Sequence, residues 1–248
     1  MELTMMKKPV TAMVASTSIA EARSIILNSR VEGADAFYVQ LELLPRADRT
    51  EQKLRELFSF CNGKPILITA YRTGDPELTD DERAELLLLG LRSGAHIADI
   101  PGDYWHPEQN QLTFDKAAIR KQKALIDQVH SIGKGVLMSS HLSRFFRAEE
   151  IYAYAKEQEA READFLKIVS KSETEEQLME NLIIAAELKN QVKKPYLFLG
   201  NGSHSKLLRL IGPSLGVCMY LCVQHFNPLD FCDQPMMRSA MQIRDILE

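Results

Sequence analysis

The chain has 248 residues, 45% hydrophobic and 26% charged, with a net charge of -4. That is ordinary globular composition, and the length allows one large α/β domain or two small ones. The mild acidity gives no electrostatic footprint for nucleic acid, no like-charge run suits a membrane surface, and no apolar run has signal-peptide or membrane-spanning length, so a soluble cytoplasmic protein is expected.

The four cysteines, Cys61, Cys218, Cys222 and Cys232, include no CxxC pair, and the six histidines include no HExxH or HxH. A disulfide framework and a metal site therefore have no support in the sequence. Methionines such as Met13 and Met138 form no stripe and read as core or tail.

Apolar strand-like runs alternate with amphipathic segments along the whole chain. Val10 to Ala15 is a first run, and Ser18 with Glu21 predicts a capping box for a helix through Ser29. Ala36 to Leu43 is a second run; if it is one strand, Tyr38, Gln40 and Glu42 share a face. A helix from Thr50 to Cys61 ends in an Asn62-Gly63 turn. Pro65 to Ala70 is a third run, ending at Tyr71-Arg72, and the polar loop TGDPELTDDE follows. Thr79 with Glu82 predicts a second capping box, for a helix to Ser93 closed by Gly94.

His96 to Ile100 is a fourth run, followed by the loop PGDYWHPEQNQ and a helix from Asp115 to Ser131. Gly135 to Ser139 is a fifth run, ending at Ser140-His141, and Ala148 to Ala160 is a helix. Phe165 to Val169 is the sixth run; Ser172 and Glu175 predict the cap of a helix through Asn190. Pro195 to Leu199 is a seventh run, with the loop GNGSHS and a short helix from Ser205 to Ile211. Gly216 to Val223 is the eighth, and QHFNPLDFCDQ precedes a last helix from Pro235 to Leu247. Eight strand–helix units with no linker predict a parallel sheet with helices outside, as a single-domain TIM (β/α)8 barrel over residues 1–248. A doubly wound sheet is the alternative, but ASTSIAEA after the first run lacks the glycines of a phosphate loop.

Lys167 stands in the middle of the sixth run. Burying an unpaired ammonium is costly, and a buried lysine tends toward the neutral amine, a nucleophile for carbonyls. The commoner role of such a lysine is at a boundary, its stem packed and its head in water. In a barrel, function gathers at the C-terminal ends of the strands. Those ends carry Tyr38, Gln40 and Glu42; Arg72; Asp99; His141; Lys167; Asn201, Ser203, His204 and Arg209; and Asp230, Asp233 and Gln234. Lysine for an imine, histidine for proton transfer and arginine for a carboxylate suit a small-molecule keto acid as substrate.

The chain resembles the type I 3-dehydroquinate dehydratases, the Schiff-base class, over nearly its whole length. The resemblance rests on His141 in LMSSHLSRFFRAEEI and Lys167 in ADFLKIVSKSETEEQL, with Arg72 in LITAYRTG, Arg209 in SKLLRLIG, Gln234 in the last loop and Asp99 in the fourth run. It implies syn dehydration of 3-dehydroquinate to 3-dehydroshikimate in the shikimate pathway of aromatic amino-acid synthesis. Lys167 would form an iminium at C3. His141 would take the C2 proton and assist carbinolamine formation. Arg209 and Gln234 would hold the carboxylate, and Arg72 the hydroxyls or the mobile loop. No metal or cofactor is implied, and a homodimer is.

The departures are specific. Where the family carries Glu-x-Arg-x-Asp in its second strand, this chain has Tyr38, Gln40 and Glu42. Pro76 stands where the acid that orients the histidine belongs, leaving Asp75 and Glu77 as candidates for that task. Pro101 replaces a glutamate, Asn201 a methionine and Leu208 a serine, and DFCD replaces the segment before Gln234. Structural roles compete with functional ones: Glu42 as an ion-pair partner or a substrate ligand, Asp99 as a hydrogen-bond acceptor, Arg209 at a helix C-terminus, Gln234 as a cap and Lys171 as either a neighbour depressing Lys167 or a solvated side chain. Two other functions stay open: an imine-forming aldolase or dehydratase of another keto acid, and a non-catalytic barrel descended from the family.

Overall fold

The structure, a computed structural model, describes residues 7–226 and 233–247. Eight parallel strands form one sheet in the order β7-β6-β5-β4-β3-β2-β1-β8. They are β1 (Val10–Val14), β2 (Ala36–Gln40), β3 (Ile66–Thr69), β4 (Ile97–Pro101), β5 (Gly135–His141), β6 (Phe165–Lys171), β7 (Tyr196–Asn201) and β8 (Tyr220–Cys222). The helices that alternate with them are α1 (Ile19–Glu32), α2 (Glu51–Ser59), α3 (Asp80–Arg92), α4 (Lys116–Ser131), α5 (Ala148–Ala160), α6 (Glu175–Glu187), α7 (Lys206–Leu215) and α8 (Met237–Leu247). The sheet curls into a TIM barrel, and its seam between β7 and β8 is crossed by the Cys218 N–H, which donates to the Tyr196 carbonyl at 2.9 Å. The strands are apolar on both faces because the helices cover one and the barrel interior the other.

The capping box that the sequence predicts at Thr79 and Glu82 is formed in full, and Thr50 and Asp115, read from the sequence only as helix starts, also carry side-chain caps. Two starts differ. Ser16, not Ser18, partners Glu21: its hydroxyl donates to Glu21 Oε2 at 2.5 Å and accepts from the Ser18 N–H at 3.0 Å. At α6 the cap is Thr174, whose Oγ1 accepts from the Gln177 N–H at 3.3 Å, while Ser172 is bonded by Asn181. The helix expected through Asn190 ends at Glu187 and tightens into a 3-10 turn over Leu188–Asn190.

The second run also departs from expectation. It is a strand only to Gln40, then a 3-10 turn over Leu41–Leu43, so Glu42 leaves the face that Tyr38 shares with Gln40. The fifth and sixth strands run longer than their apolar cores, through His141 and Lys171. Parallel pairing there continues under polar residues, with His141 paired to Val169 and Lys171 to Asn201.

Two of the largest fully buried side chains are arginines. Arg83 of α3 donates to the carbonyls of Tyr71, Asp75 and Leu78 and so fixes the loop after β3. Arg161, at the end of α5, donates to Gly102 O at 2.9 Å, to Thr113 O and to Gln122 Oε1 at 2.8 Å. Gln122 in turn donates to the carbonyls of Gly102 and Tyr104, each at 3.1 Å. These bonds hold the ends of the loop from 102 to 115, satisfying carbonyls that would otherwise be buried bare. Gly102 is required there, since a Cβ would lie 2.9 Å from the Gln111 carbonyl oxygen.

Among the described residues no helix is long and apolar enough to cross a membrane. Cys61, Cys218 and Cys222 are free thiols, and Cys232 lies outside the described residues.

Candidate active site

A cavity of about 580 Å³ opens at the C-terminal ends of the strands. Lys167 and His141 line it, as do Arg72, Arg209 and Gln234. Glu42 and Asp99 are not on its wall, and Asp230 lies outside the described residues.

Lys167 projects from β6 and keeps only 3% of its surface exposed. Its Nζ donates to Tyr71 Oη at 2.7 Å, Tyr38 Oη at 3.1 Å and Asp99 Oδ2 at 3.2 Å. Both phenols donate in turn to Asp99 Oδ2. The ammonium also lies over both rings, 4.9 Å from the Tyr38 centroid and 5.3 Å from that of Tyr71. Tyr38, Asp99 and Lys167 come from β2, β4 and β6, alternate strands, as the side chains of one interior barrel layer do. A layer that is ordinarily aliphatic is here polar and paired.

Burial lowers the Lys167 pKa, the Asp99 carboxylate opposes that shift, and Arg209 adds to it. Lys171 takes no part: it lies 3.6 Å from Glu173 at the cavity mouth, partly exposed. Burial, reinforced by the Asp99 charge, lifts both phenols well above 10, so they stay protonated.

His141, the last residue of β5, is oriented by Gln111. The Gln111 Oε1 atom accepts from the His141 peptide N–H at 3.2 Å and lies 2.6 Å from Nδ1. A peptide N–H can only donate, so the shared atom is the amide oxygen, and Nδ1 must carry a proton to bond it. That tautomer leaves Nε2 with its lone pair. Burial, then the Lys167 charge, presses the His141 pKa down to about 3, so the ring is neutral at physiological pH. Tyr71 packs edge-on against the imidazole, with centroids 5.3 Å apart at 86°.

Gln111 itself adopts φ 49, the left-handed region that costs a residue other than glycine some energy. Ser140 Oγ holds its carbonyl at 2.8 Å. Asp75 and Glu77, the acids expected to orient His141, do something else. Arg46 bridges both at 2.7 and 3.0 Å, and Arg49 adds a 2.7 Å bond to Asp75. These guanidinium groups hold the Asp75 carboxyl well below the usual range.

Arg209 is 6% exposed. Its Nε donates to the Gly200 carbonyl at 2.7 Å, while Nη1 is buried with no partner among the described residues. Burial lowers its pKa to about 10, against the opposing charge of Asp233. It therefore stays cationic, with a donor still unused. Gln234, 7% exposed, buries an acceptor, Oε1, with no partner among the described residues. The unused donor a carboxylate needs at this end of the cavity is Arg209 Nη1.

Two residues expected to touch substrate are otherwise engaged. Arg72 spends its donors on Asp80 and Asp103: Nη2 to Asp80 Oδ2 at 2.6 Å, Nη1 to both Asp103 oxygens at 2.9 Å. It reaches the cavity wall as a tie between two loops rather than as a free cation. Glu42 is buried at 2% exposure, where both its oxygens accept from Thr69 Oγ1 at 3.0 and 2.8 Å. Burial lifts its pKa to about 7. Its place behind the wall follows from the strand ending at Gln40.

Tyr71 and Gln111 had no assigned role in the sequence. Tyr71 is visible as the residue closing the third run, next to Arg72. Gln111 lies in an aperiodic loop, and nothing in the sequence places it beside a histidine thirty positions on.

The sequence profile of the family described as Type I 3-dehydroquinase matches residues 10–248. No curated protein matches the chain by sequence. Among solved structures, the chain is similar to 3-dehydroquinate dehydratase from Geobacillus kaustophilus HTA426, at 16% identity and a TM-score of 0.82, covering 97% of this chain and 91% of that one. It is also similar to the type I enzyme from Clostridium difficile, at 14% identity and a TM-score of 0.81 over 97% and 92% of the two chains. The enzyme from Enterococcus faecalis gives 14% and 0.80 over 98% and 95%. The chain belongs to the type I 3-dehydroquinase family, a family of hydro-lyases.

Proposed function

We propose that the protein dehydrates 3-dehydroquinate to 3-dehydroshikimate through an imine on Lys167. The observation that carries this reading is the pairing of a buried lysine with a neutral histidine whose free Nε2 is set by Gln111, on the wall of one cavity. Arg209 Nη1 and Gln234 would bind the substrate carboxylate. The Lys167 amine would then attack the C3 carbonyl. The resulting iminium withdraws electrons from C2, and His141 Nε2 takes the C2 proton. The pair left at C2 forms a double bond to C1 as the C1 hydroxyl departs, taking the proton His141 has just acquired. Hydrolysis of the imine releases product and restores the amine.

A second reading changes the substrate and keeps the imine. Tyr38 and Gln40 stand where the family has a glutamate and an arginine, and Tyr38 is turned to Lys167 rather than to the cavity. This favours a keto acid that lacks the hydroxyls those residues would bind. Membership of the family also leads us to place the protein in the shikimate pathway, in the cytoplasm, as a homodimer of single-domain chains.

Borohydride added with 3-dehydroquinate is expected to give a covalent adduct, measured by intact mass, that maps to Lys167 and is absent from Lys167→Ala. Steady-state dehydration of 3-dehydroquinate should accompany it. An adduct with other keto acids, and none with 3-dehydroquinate, would select the second reading. No adduct with any of them would sink both.

A further inference from the structure

Making an imine from an ammonium and a ketone requires several proton transfers before carbon chemistry begins. Lys167 must lose a proton, the carbonyl oxygen must gain one, and the carbinolamine hydroxyl must gain another to leave as water. The protons available at the start are those of the Lys167 ammonium and of the two phenols bonded to Asp99. His141 has none to give. Its single N–H is held by Gln111, and its other nitrogen is an acceptor. Asp99 is 0% exposed, Tyr38 is 0% exposed, and neither lines the cavity. Tyr71 lines the cavity and also bonds both Lys167 Nζ, at 2.7 Å, and Asp99 Oδ2. It is the group that connects the buried pair to the space where a carbonyl must sit.

We propose that Tyr71 is the catalytic acid–base of imine formation, relaying protons between the Asp99–Lys167 pair and the substrate oxygen, while His141 is kept for the carbon-bound proton. This rests on the imine chemistry proposed above and divides it between two residues. The ammonium gives one proton through the Tyr71 hydroxyl to Asp99, leaving a neutral amine and a carboxylic acid. The nitrogen lone pair forms the C–N bond, and the carbonyl π pair moves to oxygen. Tyr71 protonates that oxygen and is reprotonated by Asp99. The nitrogen, now cationic, sheds a proton by the same path back to Asp99. Tyr71 then protonates the hydroxyl, the C–O bond breaks, and the nitrogen lone pair closes the iminium. The sum is one ketone and one ammonium giving one iminium and one water, with Asp99 returned to its carboxylate. The raised pKa of the phenol fits a relay in which phenolate never accumulates. Arg83, which fixes the Tyr71 carbonyl at 2.9 Å, keeps the relay in place.

The test is rapid quenching with borohydride after mixing with 3-dehydroquinate, followed by intact mass, on wild type, Tyr71→Phe and Tyr38→Phe. The adduct should form about 100-fold more slowly in Tyr71→Phe, and less than about tenfold more slowly in Tyr38→Phe, since general acid–base contributions are typically of the larger size. Exchange of the C2 proton with deuterated solvent, per mole of imine, should be unchanged in Tyr71→Phe because His141 performs it. Wild type should also show a solvent isotope effect on adduct formation, a readout that does not depend on any variant folding. Equal rates in Tyr71→Phe and wild type, a matching loss of exchange per imine, or no isotope effect would each overturn the relay alone. No adduct in wild type would overturn the imine reading, and the relay with it.

Discussion

At the Lys167 end of the cavity every ammonium hydrogen meets an acceptor before any substrate arrives, whereas at the Arg209 end the guanidinium Nη1 is buried with no partner among the described residues. Both ends hold a buried cation, but among the described residues only Lys167 has a carboxylate in contact, while Asp233 acts on Arg209 from a distance. A saturated ammonium with a carboxylate beside it belongs to the folded structure as much as to the chemistry. A half-used guanidinium contributes little to folding, because the desolvation of its free donor is not offset until an anion binds. Catalytic and stabilising roles thus coincide at one end of the cavity and separate at the other.

The largest expected effect follows from removing Lys167. Lys167→Ala should lower turnover by at least about 10⁴-fold, because no other amine lies at the reacting position. It should also destabilise the fold by about 3 kcal/mol in denaturant titrations, because Asp99 is left buried without its counter-ion. Loss of activity with unchanged stability would show that the Lys167–Asp99 pair contributes to chemistry and not to the fold.

Arg209→Leu should act in the opposite proportion. Losing one partner of a buried ion pair with substrate costs about 2–5 kcal/mol in kcat/KM, expressed mainly through KM. Stability should move by no more than about 1 kcal/mol, since the bond to Gly200 is the one hydrogen bond of its side chain among the described residues. A large fall in stability would show that the Arg209 end is finished in the same way as the other.

What could be read from the sequence follows the same division. The barrel was legible because its signals are local and repeated: apolar runs, the Thr79–Glu82 capping box and glycines after helices. Lys167 stands out as a charge inside an apolar run, and its place in the family pattern together with His141 outweighs the commoner boundary role. The residues that surround it were less so. Asp99, Tyr38 and Tyr71 come from three different strands or strand ends, and their convergence on one nitrogen is a product of barrel closure. The place of Glu42 is hidden from the sequence because the strand stops at Gln40, three residues before the apolar run ends, and the 3-10 turn swings the carboxyl behind the wall. The family match points to Arg72 as a ligand, and the sequence carries no sign that Asp80 and Asp103 on neighbouring segments pair with it.

Glu42 gives a prediction that sharpens the view of the Lys167 end as a charge-balanced unit. Its pKa is raised to about 7 from an ordinary 4.5, chiefly by burial. The native state therefore keeps its proton between those values while the unfolded chain loses it, so this group's contribution to stability is full below pH 4.5 and falls as pH rises through 7. Glu42→Gln removes that fall while still offering an acceptor to Thr69. The variant should gain on the order of 3 kcal/mol relative to wild type between pH 5 and pH 8. Parallel stability curves across that range would contradict a buried, protonated Glu42.

Gln111 supplies the smallest effect and the sharpest distinction. An amide oxygen bonded to Nδ1 fixes the tautomer without adding charge, so the imidazole stays a free base over the whole working range. Gln111→Leu removes the orientation and should lower kcat by roughly 10–100-fold, the usual size for a group that positions another. KM should change little, because the carboxylate end is untouched. Gln111→Glu keeps an oxygen at Nδ1 but adds a negative charge, which favours the imidazolium and moves the His141 pKa upward. Protonation would then occupy Nε2. With His141 at about 3, wild type should show no acid limb from this residue above about pH 4, whereas Gln111→Glu should acquire one at higher pH. A pH–kcat profile in which Gln111→Glu matches wild type would mean that His141 is not the base, even if Lys167 still forms its imine. The neutral amide in this position follows from the same constraint that leaves Lys167 paired with Asp99: with an ammonium and a guanidinium already in the cavity, a base that remained protonated would be a third cation with nothing to receive.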